Sequence, residues 1–387
     1  MKGGLFLKVT GIICEYNPLH LGHKKQLDMV RAAEPEGGIV CLMSGNFVQR
    51  GMPAILDKTL RAKAAVLAGA DLVLELPVTA SLSSAEGFAA SGVSILSPFC
   101  QQLCFGAESS DGEKLMSIAK ALLSAEFTQA LHLQLDKGLS FPAARSAALE
   151  QMGIDASALT QPNNILAVEY CKAILQQGSR MLPMPILREG SYHDETADAV
   201  NPSATAIRQL MINDRCWKDY VPTEAVACFE GAAIHTLAAA ERAILARLRT
   251  MTDEEFAALP FGSEGLWRKL MHTARKESTL EQIITGAKSK RYTRSRLDRM
   301  IMCAFLGLTA DDLAKPAPYV RVLAFNDRGR DILKTARQTG DFPNIGEVRD
   351  DPYQQTENRC GDLYALFSQQ PEPPGREHTS RVAYIEK

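Results

Sequence analysis

The first 110 residues alternate between short apolar runs and helix-forming stretches, and this alternation constrains the fold more than any other feature. Apolar runs at 5–13, 38–43, 71–77 and 103–106 are each followed by small, polar or proline residues and then by a helical segment. Such alternation is typical of parallel sheets whose strands are joined by right-handed helical crossovers. The sequence therefore predicts an α/β fold with a Rossmann-like core.

The rest of the chain is dominated by helical patterns, and its length of 387 residues exceeds one ordinary compact core. Residues 181–187 are proline-interrupted and predict a last edge strand. Few strand signals follow, so we expect a Rossmann-like domain over 1–220 and a mainly α-helical domain over 221–370. The proline-rich stretch 369–375 predicts a loose C-terminal tail over 371–387.

Composition excludes several classes of protein. Hydrophobic residues make up 46% and charged residues 23%, which indicates a globular chain rather than a disordered one. No apolar run reaches membrane-span length, and no signal-peptide pattern is visible at the start. Most of the nine cysteines lie in apolar stretches, and the close pair Cys100 and Cys104 lacks partners for zinc. We therefore expect a cytoplasmic location, no membrane association and no protein-bound metal site.

The junction between the first strand and the first helix carries the motif His-x-Gly-His. Asn17-Pro18 ends the strand, and His20, Gly22 and His23 then open the helix. Free N–H groups and the dipole at a helix start favour phosphate, and glycine lets a phosphate approach the backbone. Two imidazoles three residues apart can donate to phosphoryl oxygens. A metal-binding pair, or two surface histidines without a function, are the alternatives, but no third ligand is visible nearby.

A second phosphate motif follows at 203–208. Ser203 and Thr205 open a predicted helix, and Arg208 follows one turn later, which suits the β- and γ-phosphates of a nucleotide. A plain helix cap would explain Ser203 equally well. After the last predicted strand, Arg188 is a candidate ATP contact, whereas the role of His193 stays open.

Two further groups of polar residues are less specific. The loop 44–51 after the second strand combines small residues with Asn, Gln and Arg, and could line a ligand or simply lie on the surface. Lys58, Arg61 and Lys63 follow on a predicted helix, where a solvated face is the simple interpretation.

A cluster of basic residues over 288–299 stands out in a chain whose net charge is −2. Positive charge interleaved with an aromatic ring is typical of RNA-binding segments, with Tyr292 available for stacking. A solvated helical face is the alternative. The predicted tRNA-binding residues are Lys288, Lys290, Arg291, Tyr292, Arg294, Arg296 and Arg299.

Together these strings resemble one bacterial family, the tRNA(Met) cytidine acetate ligases of the HIGH nucleotidyltransferase superfamily. The matching segments are 15–23, 44–51, 69–77, 105–108, 162–166, 203–208 and 290–293. The resemblance implies that ATP activates acetate as acetyl-adenylate with release of pyrophosphate. The acetyl group then passes to N4 of the wobble cytidine 34 in the anticodon loop of elongator tRNA(Met), with release of AMP. Mg²⁺ is the expected escort of the triphosphate.

The resemblance also assigns roles to single residues. His20 and His23 would stabilise charge at the α-phosphate, while Ser203, Thr205 and Arg208 would neutralise the departing pyrophosphate. Leu19, Leu21 and Ala167 depart from the common family pattern. The implied ATP site comprises Ile13, Cys14, Glu15, Tyr16, Asn17, Pro18, Leu19, His20, Leu21, Gly22, His23, Lys24, Lys25, Gln26, Gly106, Arg188 and one or both of Asn163 and Asn164.

Two other functions remain open from the sequence. A small-molecule adenylyltransferase of the same superfamily would explain both phosphate motifs but not the long helical half. A non-catalytic ATP- and RNA-binding protein would explain the basic cluster, but the two histidines and Arg208 argue against it. The basis of acetate selectivity and the oligomeric state do not follow from the sequence.

Overall fold

The structure, a computed structural model, describes residues 7–188, 203–289, 292–339 and 351–386. The strands in these ranges are short and mostly buried. They are β1 (Val9–Cys14), β2 (Gly38–Ser44), β3 (Phe47–Val48), β4 (Met52–Pro53), β5 (Leu72–Leu76), β6 (Gln102–Ala107), β7 (Leu182–Leu187), β8 (Val322–Phe325) and β9 (Ala383–Tyr384).

Helices make up most of the remaining described chain, together with three short 3₁₀ turns. The helices of the first 220 residues are α1 (Leu21–Ala33), α2 (Lys58–Leu67), α3 (Val78–Ser81), α4 (Ala85–Leu96), α5 (Gly112–Leu122), α6 (Ala125–Asp136), α7 (Phe141–Gln151), α8 (Pro162–Gln176) and α9 (Ala204–Ile212). Those that follow are α10 (Thr223–Phe229), α11 (Leu237–Thr250), α12 (Asp253–Ala257), α13 (Leu266–Ala274), α14 (Leu280–Ala287), α15 (Arg294–Leu306), α16 (Ala310–Ala314), α17 (Asp327–Thr339), α18 (Pro352–Tyr364) and α19 (Arg376–Thr379).

One sheet organises the fold, with the strand order β7-β6-β1-β2-β5-β8-β9. The pairs from β7 through β5 are parallel, and β8 joins β5 in the antiparallel direction. Successive residues of β2 alternate between two cores: Val40 and Leu42 pack into one, whereas Ile39 and Cys41 pack into the other. Helices therefore cover both faces, which explains why the central strands are continuously apolar. The predicted α/β fold with a mostly parallel sheet is confirmed.

A third core lies among the helices of the second half, chiefly α11, α13, α14, α15 and α18. The hairpin β3–β4, which comes from the sheet half, contributes Phe47 to this helical core. The ring of Phe47 meets those of Tyr364 and Phe367 edge-on, with centroids 5.8 Å apart in each case. This hairpin is thus a physical link between the sheet and the helical half.

The segment 221–370, predicted to be mainly α-helical, also contains one strand, because residues 322–325 pair with β5 in the sheet. The loose tail expected over 371–387 was wrong. Residues 383–384 pair with β8, and the carboxylate of Glu377 lies within 2.7 Å of the buried Lys58 ammonium. Both strands are too short and too remote in sequence to leave a local signal. A division of the chain near residue 220 stays a prediction.

Candidate active site at the carboxyl edge of the sheet

The site lies where the carboxyl ends of β1, β2, β6 and β7 meet, as expected for ligands of parallel α/β sheets. The loop after β1 carries the His-x-Gly-His motif. Arg208 of α9 reaches this loop and donates from Nη1 to the carbonyl of Asn17 at 2.8 Å. Asn17 and Arg208 are 191 positions apart in the chain, so the fold makes the two predicted phosphate motifs neighbours.

The two histidines of the motif cap the helix that they open. Nδ1 of His20 accepts from the backbone N–H of Gly22 at 3.1 Å, and Nδ1 of His23 accepts from the N–H of His20 at 3.3 Å. Their ring centroids lie 3.7 Å apart. Because both Nδ1 atoms accept hydrogen bonds, each neutral ring carries its proton on Nε2. Two Nε2–H donors result, side by side at the start of α1.

Both histidines are neutral at physiological pH. Burial lowers the pKa of His20 to about 3, and the positive charges of Arg188 and Arg208 act in the same direction. Burial also lowers the pKa of His23 well below its ordinary value, with His20 and Arg188 contributing. Such rings stabilise a developing phosphoryl charge as hydrogen-bond donors rather than as cations.

Gly22 is required for this arrangement. A Cβ at this position would lie 2.9 Å from Cε1 of the His20 ring and 3.1 Å from its Nδ1. Any side chain would push the imidazole away from the helix start, so the glycine gives His20 its place as well as opening the backbone.

A second set of polar groups surrounds the start of α8. The carboxylate of Glu108 accepts hydrogen bonds from Nδ2 of Asn163 at 2.7 Å and from the N–H of Asn164 at 2.7 Å. Glu108 was not among the site residues predicted from the sequence. Asn164 is buried and its Oδ1 accepts from the N–H of Ser109 at 3.0 Å. Oδ1 of Asn163 instead accepts from Nη1 of Arg188 at 3.3 Å. Asn163, not Asn164, therefore shares the Arg188 side of the site.

Gly106 lies beside the same arginine, since a Cβ on it would lie 3.9 Å from Cδ of Arg188. His193, the residue whose role was left open, falls outside the described residues.

The other residues predicted around ATP divide into two groups. One group is buried and supports the loop from beneath: Cys14, Asn17, Pro18 and the fully buried Tyr16 and Leu19. The other group is at least partly exposed: Ile13, Glu15, Leu21, Lys24, Lys25 and Gln26. Tyr16 adopts a positive φ of 44° and lies 3.4 Å from Sγ of Cys41 through its hydroxyl. Lys24 pairs with Asp28, and Nε2 of Gln26 donates to Sγ of Cys104 at 3.5 Å. Side chains such as Tyr16 and Leu19 act through the shape of the loop.

Arg61 holds the loops of the site together from below. Its guanidinium is fully buried and donates to the carbonyls of Leu56 at 2.8 Å, Glu15 at 2.6 Å and Ser44 at 3.2 Å, and also to that of Gly45. Of the three cations of this helix, only Lys63 is exposed, so the solvated face holds for Lys63 alone. Arg61 is buried, and the ammonium of Lys58 is buried between Glu75 and Glu377.

The start of α9 forms a compact polar turn. Oγ of Ser203 caps the helix by accepting from the N–H of Ala206 at 3.1 Å. Oγ1 of Thr205 accepts from Nη2 of Arg208 at 3.0 Å. The hydroxyls and the arginine thus form one cluster beside the His-x-Gly-His loop.

The basic cluster lies at the start of α15, next to the start of α13. Nζ of Lys269 donates to the carbonyl of Lys288 at 3.1 Å, and Nη2 of Arg296 donates to Oγ of Ser263 at 2.8 Å. Arg268 lies 4.6 Å from the ring centre of the half-buried Trp267. We call this surface the basic face; its residues are Arg268, Lys269, Lys288, Arg294 and Arg296. Arg268 and Lys269 were missed from the sequence because only the fold brings Lys269 to Lys288 and Ser263 to Arg296.

One of the predicted RNA contacts needs correction, and two others lie outside the described residues. Tyr292 is only 8% exposed and its hydroxyl donates to the carbonyl of Glu264 at 2.7 Å, so its ring is not available for stacking. Lys290 and Arg291 fall outside the described residues. Arg299 is half-buried, with its guanidinium 4.9 Å from the ring centre of Phe261.

Comparison with known proteins gives a consistent result. The model of the HIGH Nucleotidyl Transferase family matches residues 7–378. A tRNA(Met) cytidine acetate ligase of Clostridium novyi is 38% identical over 356 residues, covering 87% of this chain and 89% of the relative. One of Clostridium perfringens is 33% identical and covers 94% of this chain and 96% of the relative.

Solved structures agree with this result. Thermotoga maritima TmcAL, in its apo form, superposes with a TM-score of 0.91 at 29% identity, over 98% of this chain and 100% of that chain. The same protein bound with alpha-thio ATP superposes with a TM-score of 0.88 at 30% identity, with the same coverage. The chain belongs to the HIGH nucleotidyltransferases, in the family of the tRNA(Met) cytidine acetate ligases.

Proposed function

We propose that this protein is an ATP-dependent acetate ligase that forms N4-acetylcytidine at wobble position 34 of elongator tRNA(Met). The observation that carries the proposal is the pair of neutral imidazoles at the start of α1, beside Arg208 and under the influence of Arg188. The relatives named tRNA(Met) cytidine acetate ligase and the neighbour bound with alpha-thio ATP support the choice of substrates. We place the reaction in the cytoplasm, where tRNA is modified.

The first step joins acetate to the α-phosphate. A carboxylate oxygen of acetate attacks the α-phosphorus of ATP, and the bond to the pyrophosphate oxygen breaks. The Nε2–H groups of His20 and His23 donate to the phosphoryl oxygens as negative charge grows there. Because both rings are already neutral donors at physiological pH, no proton needs to be taken up before the reaction.

The departing pyrophosphate requires compensation of its charge. We assign this role to Arg208 with the hydroxyls of Ser203 and Thr205, which already form one cluster. The guanidinium of Arg208 would exchange its bond to the Asn17 carbonyl for phosphate oxygens, which it can bind bidentately. On the opposite side, we assign Asn163 and Arg188 to ATP, while Asn164 and Glu108 hold the start of α8 in place.

The second step transfers the acetyl group to RNA. The N4 amine of cytidine attacks the acetyl carbonyl carbon, loses a proton, and AMP leaves. An anticodon loop presents its bases unpaired, so little energy is needed to bring the target base into the site. We propose that the basic face holds the RNA backbone while the sheet half performs the chemistry, which assigns separate tasks to the two halves.

Mg²⁺ is expected to accompany the triphosphate. Within the described ranges, no three His, Cys, Asp or Glu side chains gather into a metal site. The residues present therefore do not form a protein cage for the ion, and we derive no step through it.

Transfer of radiolabelled acetate to bulk bacterial tRNA, with and without ATP, tests the proposal. We expect ATP-dependent label that digests to N4-acetylcytidine. We expect His23→Ala to slow pyrophosphate release by about 100-fold, the usual cost of losing one such donor. The matched control is His132→Ala, an exposed histidine on α6, which should retain the wild-type rate.

The remaining outcomes separate the alternatives. Pyrophosphate release without labelled tRNA would keep the activation step and refute the acceptor. Absence of pyrophosphate release with both substrates present would refute the ligase assignment.

A further inference from the structure

The hairpin β3–β4 connects the loop of the two histidines with α15, the helix that carries Arg294 and Arg296 of the basic face. The backbone N–H of Gln49 donates to Oε1 of Glu15 at 3.0 Å, and Glu15 lies in the loop that leads to His20. Arg61 fixes the same region from below, since it donates to the carbonyls of Glu15, Ser44 and Gly45. The base of the hairpin is therefore tied to the candidate active site.

The tip of the hairpin touches the basic helix α15. Gly51 has a positive φ of 75°, which favours glycine. A Cβ on Gly51 would lie 2.4 Å from the backbone nitrogen of Arg299 and 2.4 Å from the carbonyl carbon of Asp298. The backbone of the hairpin thus contacts that of α15 with no room for a side chain, and the helix and the hairpin share a fixed position.

Arg50 is the exposed residue at this tip, between Gln49 and Gly51. Burial raises the pKa of Glu15, and the positive charges of Arg208, Arg50 and Arg61 oppose this effect. Burial likewise raises the pKa of Asp298 to about 6, against the charges of Arg294, Arg299 and Arg50. The Arg50 side chain is therefore near both Glu15, in the loop after β1, and Asp298 of α15.

The position of Arg50 matters because the RNA must run from the basic face to the histidines. A nucleotide whose base enters the site carries phosphates on both sides, and these lie between the two surfaces. An arginine at the junction can bind a phosphate oxygen pair bidentately and so fix the direction of the strand.

We propose that Arg50 contacts the RNA backbone next to the acceptor nucleotide and positions that nucleotide at the active site. The inference rests on the proposed function, since it assumes that the acceptor is RNA. It adds a contact outside the basic cluster of 288–299 and assigns a task to the loop 44–51. Its ligand is a phosphodiester of single-stranded RNA, so the contact carries charge but no sequence information.

Binding of bulk tRNA over a series of KCl concentrations tests the proposal, with Arg50→Ala, Arg50→Lys and wild-type protein compared. We expect Arg50→Ala to weaken tRNA binding by about tenfold. The slope of log affinity against log salt concentration should decrease in magnitude by about 0.7, the value for one phosphate contact on a single strand. Arg50→Lys keeps the charge and should retain most of the salt slope. Pyrophosphate release from ATP and acetate should stay within about twofold of wild type in both variants, because Arg50 acts on the acceptor.

Lys63→Ala is the matched control, since Lys63 is an exposed cation on α2 of the same half. Its salt slope should equal that of the wild type. A wild-type slope for Arg50→Ala would overturn the Arg50 contact, as would a parallel loss of pyrophosphate release. If the wild-type protein neither binds nor acetylates tRNA, the proposed function fails as well. If the wild-type protein acetylates tRNA but Arg50→Ala has the same salt slope as the wild type, only the Arg50 contact is refuted.

Discussion

Replacing Arg61 by methionine would remove the cation that joins the loops of the site while keeping a side chain of similar length. Four carbonyls, those of Leu56, Glu15, Ser44 and Gly45, lose their donor. Each buried carbonyl left unsatisfied costs about 1 kcal/mol or more. The removed guanidinium no longer has to be desolvated, which offsets part of the cost. We therefore expect the free energy of unfolding to fall by about 3–5 kcal/mol.

Urea unfolding followed by circular dichroism measures this change, with a lower midpoint and an unchanged m-value as the expected result. Arg61→Lys keeps a positive charge but has fewer donors in a different geometry, so it should lose about half as much. Lys63→Met, on the exposed side of the same helix, should change stability by no more than about 0.5 kcal/mol. A loss below about 1 kcal/mol in Arg61→Met would refute the reasoning, because it would mean that the carbonyls find other donors.

Three further predictions concern charge. As the pH falls from 6.5 toward about 3, His20 takes up a proton in the unfolded chain but not in the folded one, so the free energy of unfolding should fall by up to about 1.4 kcal/mol per pH unit. In urea unfolding at several pH values, His20→Gln should show a smaller dependence of this free energy on pH. Burial, reinforced by the Glu75 charge, raises the pKa of Glu357 to about 7, so the folded state disfavours its ionisation. Glu357→Gln should therefore raise the melting temperature more at about pH 8 than at about pH 5, and an equal rise would contradict this account. Glu281 accepts two hydrogen bonds of 2.6–2.7 Å from Arg294 of the basic face. Glu281→Gln should therefore tighten tRNA binding by about two- to fivefold and change the free energy of unfolding by less than about 1 kcal/mol. Filter binding measures the affinity, and weaker binding would contradict this account.

The sequence was most informative where local signals act. The helix expected to open at the His-x-Gly-His motif is α1, which begins at Leu21, since Asn17-Pro18 follows the strand and His20 caps the helix. The four central parallel strands were also predicted, because their apolar runs are covered on both faces. Strands β8 and β9 were missed, since both depend on partners far away in the chain.

Side-chain environments were harder to predict than the elements that carry them. A buried arginine is rare, and the partners of Arg61 are backbone carbonyls, which leave no trace in the sequence. The aromatic ring of Tyr292 within a basic stretch suggested stacking, but the pattern cannot show which side of the chain faces the core. Arg188 was named as a candidate ATP contact, and Asn163 as one of two candidates. The structure adds that Glu108 holds Asn163 at the start of α8, where Asn163 accepts a hydrogen bond from Arg188.

The placement of β8 and β9 has a consequence for how this protein is made. Lys58 and Glu377 form a buried contact although they are 319 positions apart in the sequence. The helices of the second half lie, in the sequence, between early and late strands of the same sheet. During synthesis, the strands that carry the histidine loop emerge early, yet the outer edge of β5 stays open until β8, residues 322–325, has been made. An open edge exposes unpaired backbone groups that can pair with other chains. The nascent chain therefore passes through a long period in which it depends on chaperones or on its own early helices for protection against aggregation.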